Sequence, residues 1–140
     1  MAGIVVGIDG SEHSQHVLEW AMREAALRQA ALTVLTVHDV AGGHWTGTPI
    51  VTAADEPYRE KARAAAEEMV AETANRTGRP ASVTVRAVSG IPARELIAAS
   101  PDADLVVVGS RGGGGFSGLL MGSVSSQVAH HASCPVVVIR

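Results

Sequence analysis

Five short apolar runs punctuate the chain: Ile4 to Ile8, Leu32 to Val37, Val83 to Val88, Leu105 to Val108 and Val136 to Ile139. Between them lie four longer stretches in which apolar residues recur at helical spacing, and strands alternating with helices predict an α/β fold with a parallel sheet. The first helix follows Asp9-Gly10-Ser11 and runs to about Gln29, with Val17, Leu18, Ala21, Met22 and Ala25 on one face. The second has clear punctuation: Asp55 suits a cap, Pro57 the first turn, and Gly78 followed by Pro80 a stop. Its inward face reads Tyr58, Ala62, Ala65, Ala66, Met69 and Thr73. A short helix from Pro92 to Ser100 ends before Pro101. The last helix opens near Gly122-Ser123, carries Val124 and Val128 inward and stops near His131. The segment from Asp39 to Ala54 shows no period and is too long for an ordinary βα turn.

Strand three alternates Val83, Val85 and Ala87 with Thr84 and Arg86, which places one of its faces in water and the strand at an edge. The other runs are continuously apolar, as strands covered on both sides require. An edge position for strand three makes 3-2-1-4-5 the natural order, an open five-stranded parallel sheet with helices on both faces. Strands one and four are then neighbours whose following helices lie on opposite sides. Open α/β sheets bind ligands at such a switch point, beyond the carboxyl ends of the strands. Asp9 and the glycine-rich run after Val108 both fall there.

Composition narrows the function. A length of 140 residues suits a single domain spanning residues 1–140, and with 46% apolar but only 3% aromatic residues its core is built from Ala, Val, Leu and Ile. A net charge of −3 without a dense Lys/Arg patch argues against a nucleic-acid partner. No apolar run approaches a membrane span, and Met1-Ala2-Gly3 leads straight into a strand pattern with no basic, apolar leader. The lone Cys134 has no partner for an intramolecular disulfide, so a reduced, cytoplasmic compartment is expected, with Cys134 as a small buried hydrophobe.

The run Gly109 to Ser123, GSRGGGGFSGLLMGS, reads either as a flexible linker or as a phosphate cradle, and its place after a buried strand favours the cradle. A Walker A loop is excluded, because the sole lysine, Lys61, lies in another helix. Gly113, Gly115 and Gly118 match the dinucleotide fingerprint by spacing, but no Asp or Glu follows Asp104 to hold a ribose. What remains is Gly109-x2-Gly112-x9-Gly122-Ser123.

Together with Val6-Gly7-Ile8-Asp9-Gly10-Ser11, with Thr36-Val37-His38, and with Cys134-Pro135 leading into Val136 to Ile139, this motif resembles the universal stress protein family along essentially the whole chain. The glycine-serine motif marks that family's ATP-binding branch. The resemblance implies a domain of the adenine-nucleotide alpha hydrolase-like type, usually a homodimer, acting as a nucleotide-responsive regulator in stress or dormancy. Carried over by position, it puts Asp9 and the backbone of Val37 at adenine, with Gly7 and Val108 nearby. Gly109, Gly112, Gly122, Ser123 and Val124 would hold ribose and phosphates. It also implies dimerisation through Val136 to Ile139, an edge strand apolar enough to invite pairing.

The chemistry of these residues agrees with that division. An ionised Asp9 repels phosphate but accepts from an amino or hydroxyl group, so it belongs at the base or ribose end. Backbone amides, the Ser123 hydroxyl and a helix N-terminus are donors, the last worth about 0.3–1 kcal/mol for an anion. Asp9 also reads as an Asx turn or helix cap, Ser11 and Ser123 as caps, Arg111 as a solvated loop residue, and His130-His131 as favourable charge at a helix C-terminus. Three activities stay open: ATP binding for regulation, slow ATP hydrolysis or phosphotransfer, and binding of AMP or a cyclic nucleotide. No residue stands out as catalytic, and Mg²⁺ or Mn²⁺ would be held by the triphosphate and water.

Overall fold

A computed structural model describes residues 3–39, 53–80, 82–110 and 122–140. Strand β1 (Gly3–Ile8) is followed by helix α1 (Glu12–Arg28), β2 (Leu32–Asp39), and a 3-10 turn (Ala53–Asp55) that enters helix α2 (Glu56–Thr77). Then come β3 (Val83–Gly90), α3 (Pro92–Ala99), β4 (Ala103–Gly109), α4 (Ser123–His131) and β5 (Val136–Ile139). The strands form one sheet in the order β3-β2-β1-β4-β5, and every pairing is parallel. The order and the α/β class are those the apolar pattern predicts.

Alternation along the strands divides the core. Ile4, Val6 and Ile8 of β1, with Leu32, Val34, Leu105 and Val107, pack under α1 and α2 through Val17, Leu18, Met22, Ala66 and Val70. Val5, Leu35, Val106 and Val108 face the other way and pack under α3 and α4 through Ala93, Leu96 and Val128. Burial of both faces is why the central strands read as unbroken apolar runs. Edge strand β3 alternates half-buried Val83, Val85 and Ala87 with exposed Thr84 and Arg86.

Helix ends follow local chemistry. Gln29 closes α1 in the left-handed conformation with φ 54°, donating its amide to Ala26, and Gly78 closes α2 with φ 82°. Pro57 occupies the first turn of α2, as its fixed φ favours. Asp55 stands at the N-cap of α2 but makes no side-chain cap bond; its carboxylate meets His38 instead. The expected inward face of α2 is only partly right. Ala66, Val70 and Thr73 are buried, whereas Tyr58 and Ala65 are exposed, because α2 stands off the sheet at its N-terminal end. Strand β2 also runs past the expected end at Val37 to Asp39, held by pairing with β3 as far as Asp39 opposite Gly90.

Candidate functional site

The turn from β1 into α1 is organised by Asp9. Its Oδ1 accepts from the Ser11 amide at 3.0 Å, the Ser11 hydroxyl at 2.6 Å and the Ser14 hydroxyl at 2.7 Å, while the Asp9 amide donates to the Ser14 oxygen at 3.0 Å. The first of these is an Asx turn. Gly10 takes φ 82°, which lets the chain reverse within this turn. Ser11 occupies the N-cap position without a side-chain cap bond, since its hydroxyl goes to Asp9. The carboxylate is thus fixed at the carboxyl end of β1 and remains exposed.

Strand lengths differ where the sheet meets this turn. The β1–β2 register ends at Ile8 opposite Thr36, whereas β2 pairs with β3 for three residues more. The β1-facing edge of Val37 and His38 therefore runs on beyond β1, beside Asp9. Gly7, Val37 and Val108 lie on the α3 and α4 side; a Cβ on Gly7 would come within 2.9 Å of both Leu96 methyls. On the opposite side a groove of about 330 Å³ opens between the strand ends and α2. Ile8, Ala62, Ala66 and Met69 give it an apolar floor, and Asp9, Thr36, His38, Tyr58 and Lys61 supply its polar groups.

The glycine motif is brought to the neighbouring strand end. Gly122 is the N-cap of α4 with φ −72°, and its carbonyl accepts from the Ser126 amide and the Ser125 hydroxyl, each at 3.0 Å. A Cβ there would sit 3.1 Å from the Ser110 carbonyl oxygen, so α4 begins against the end of β4. Ser123 is the first residue of α4 and is exposed, so the cap position belongs to Gly122 and not to Ser123. Val124 is half-buried against the α3 and α4 core. Gly109 pairs with Ile139 and packs against α1, where a Cβ would lie 2.8 Å from His13 Cδ2 and 2.9 Å from Val17 Cγ2. Its missing side chain serves that contact.

Of the nine residues singled out from sequence, Gly112 lies outside the described residues, as do Arg111, the Gly113–Gly115 run, Gly118 and segment 40–52. The other eight cluster at the carboxyl ends of β1, β2 and β4 and at the start of α4. The groove-lining residues Tyr58 and Lys61 were missed as site residues. Tyr58, Lys61, Ala62, Ala65 and Met69 recur at three- and four-residue spacing, which was the available signal. Lys61, set aside as belonging to another helix, shares a groove with Asp9. Cys134 packs half-buried against the α3 and α4 core, where burial pushes its thiol up; the Asp104 charge adds to this and the Val106 backbone bond works against it.

Comparison with known proteins agrees with the fold and with the family resemblance. The model of the universal stress protein family matches residues 2–140. A universal stress protein of Mycolicibacterium smegmatis is 38% identical over 140 residues, covering 99% of this chain and 48% of that protein. The chain thus spans about half the length of the curated relatives it matches. Among solved structures, the universal stress protein UspA of Lactobacillus plantarum superposes with a TM-score of 0.79 at 28% identity, covering 99% of this chain and 97% of that one. A universal stress protein in complex with cAMP superposes with a TM-score of 0.70 at 26% identity, covering 99% and 96%. With its order of strands, its glycine-serine motif and a family match along nearly its whole length, the chain belongs to the universal stress protein family.

Proposed function

We propose that this chain is an ATP-binding regulator whose nucleotide lies across the carboxyl ends of β1, β2 and β4. The observation that carries the reading is the meeting of Gly122, at the N-terminus of the nine-residue helix α4, with the Ser110 carbonyl at the end of β4, next to the strand that presents Asp9. A helix N-terminus offers amide donors and a favourable dipole to phosphate, and a glycine at its cap leaves room for an anion to approach. Asp9 and the protruding edge of β2 at Val37 stand at the other end, where an adenine amino group and ring nitrogen need an acceptor and a donor. A relative at 26% identity was solved with cAMP, which supports the adenine end of this assignment.

In this reading Gly7 and Val108 border the base, and Gly109, Gly112, Gly122, Ser123 and Val124 border ribose and phosphates. Mg²⁺ or Mn²⁺, when present, is carried by the triphosphate. Turnover is slow, since Asp9, fixed by three hydrogen bonds, is the base-end acceptor rather than a general base for water. The protein works in the cytoplasm as a homodimer paired through β5, an edge strand whose four residues are all half-buried in the single chain. Mass spectrometry of nucleotide released on denaturing fresh protein, followed by calorimetry with ATP, AMP and cyclic AMP, tests the ligand. Absence of binding by all three at millimolar concentration refutes it. Light scattering that gives a monomer at micromolar concentration refutes the dimer.

A further inference from the structure

The groove beside Asp9 has an aromatic wall that the glycine motif does not explain. The Tyr58 ring and the His38 imidazole are stacked, 5.1 Å apart between centroids and 6° from parallel. His38 Nε2 lies 3.3 Å from Asp55 Oδ1, so the pair is fastened both to the end of β2 and to the entry of α2. His38 covers one face of the tyrosine, yet Tyr58 remains 61% exposed. This is the sole tyrosine of a chain with four Phe, Trp and Tyr residues in all, and it stands at a groove and not in the core. The groove volume of about 330 Å³ is at the lower end of the range for small-molecule pockets, roughly 300–1,000 Å³, so it suits one end of a nucleotide better than the whole.

We propose that Tyr58 is the base-stacking residue of the nucleotide site and that His38, held by Asp55, is its positioning residue. The inference rests on the ATP-binding reading and adds to it the wall against which the base is held. Adenine reaching the β1-facing edge of β2 has one face toward Val37 and Val108, and the other toward the groove that Ile8, Ala62 and Tyr58 line. A flat neutral ring fits an apolar floor closed by a tyrosine. Stacking of a base on an aromatic side chain is worth about 1–3 kcal/mol, or about 5- to 140-fold in affinity at 1.4 kcal/mol per tenfold.

Calorimetry with ATP on the full chain and on Tyr58→Phe, Tyr58→Ala and His38→Ala tests this. Tyr58→Phe keeps the ring and should bind within about twofold of the unaltered chain, whereas Tyr58→Ala should lose at least about fivefold. His38→Ala should lose affinity in the same direction by a smaller factor. The chain has one tyrosine but two tryptophans, so the tyrosine's part of the ATP-induced absorbance change is read as the difference between the unaltered chain and Tyr58→Phe, and that part should shrink in His38→Ala. Tyr58 is exposed, so the two Tyr58 substitutions leave the melt close to the original. If the unaltered chain binds ATP but Tyr58→Ala binds equally well, or Tyr58→Phe loses as much as Tyr58→Ala, the stacking role is refuted while the nucleotide site stands. If the unaltered chain binds no adenine nucleotide, both fall.

Discussion

Replacing Gly109 with alanine separates two uses of the same missing side chain. The new methyl would lie 2.8 Å from His13 Cδ2, 3.1 Å from His13 Nε2 and 2.9 Å from Val17 Cγ2. Val17 is 2% exposed and β-branched within a helix, where one χ1 rotamer is strongly preferred, so moving it aside is costly. His13 must therefore swing away, breaking its 3.0 Å hydrogen bond to the Ile139 carbonyl, or α1 must lift from β4. Overpacking costs about 1–3 kcal/mol and the lost bond about 0.5–1.5 kcal/mol, giving about 1.5–4.5 kcal/mol in all. With an m-value of about 2 kcal/mol/M, the urea midpoint should fall by about 0.75–2.25 M. Deleting the obstructing ring with His13→Ala in the Gly109→Ala background should recover part of that loss, so the two substitutions are less than additive. A Gly109→Ala protein with the original midpoint that has lost ATP would refute the packing argument, and would show the glycine is bare for the sake of the anion.

Three further outcomes are expected. Asp9→Ala removes an acceptor of three hydrogen bonds and should cost about 1–2 kcal/mol, whereas Asp9→Asn keeps the turn and the stability but weakens ATP-over-GTP discrimination; unchanged discrimination in both variants would leave Asp9 a turn residue only. Gly122→Val adds bulk at the cap of α4 and 3.1 Å from the Ser110 carbonyl, so ATP affinity should fall at least about tenfold while the melt drops by about 3 °C for each kcal/mol of crowding; full ATP affinity would refute the phosphate placement. Burial and the Asp104 charge raise the Cys134 thiol, so its reaction with a disulfide reagent should be slower than free cysteine at neutral pH and should accelerate only above the usual thiol range; a rate profile matching free cysteine would contradict this.

Much of the architecture was legible because burial on both faces writes itself into sequence as continuous apolar runs. Strand β5 was delimited to the residue, and Pro57 and Gly78 placed the ends of α2. The extension of β2 was hidden because His38 and Asp39 are polar, and what keeps them in the strand is pairing with Ser89 and Gly90 of β3, which no local pattern records. Tyr58 was misjudged for a related reason. Helical spacing gives the angle at which a residue points, but not the height of the helix above the sheet, so a tyrosine over a groove and one in a core look alike. Lys61 was a long-range miss: only the packing of α2 over β2 and β3 brings it to the groove of Asp9.

The two sides of the sheet meet at one point, and this gives the site its logic. Gly7, Val37 and Val108 belong to the face covered by α3 and α4, while the groove with Tyr58 and Lys61 belongs to the face covered by α1 and α2. β1 stops at Ile8 while β2 continues, so the gap beyond β1 is open to both faces. Asp9 sits in that gap with its carboxylate fixed by the Ser11 and Ser14 bonds, and those serines begin α1. A ligand that engages Asp9 acts on the same turn that seats α1, whose His13 holds the end of β5 through the Ile139 carbonyl. β5 is the edge through which the dimer is proposed to form. The path from Asp9 through α1 to Ile139 is continuous and covalent except for that one hydrogen bond, so His13→Ala should uncouple nucleotide from dimerisation without removing either. Dimer dissociation measured with and without ATP should differ in the unaltered chain and coincide in His13→Ala; an equal ATP effect in both would show that this contact carries no coupling.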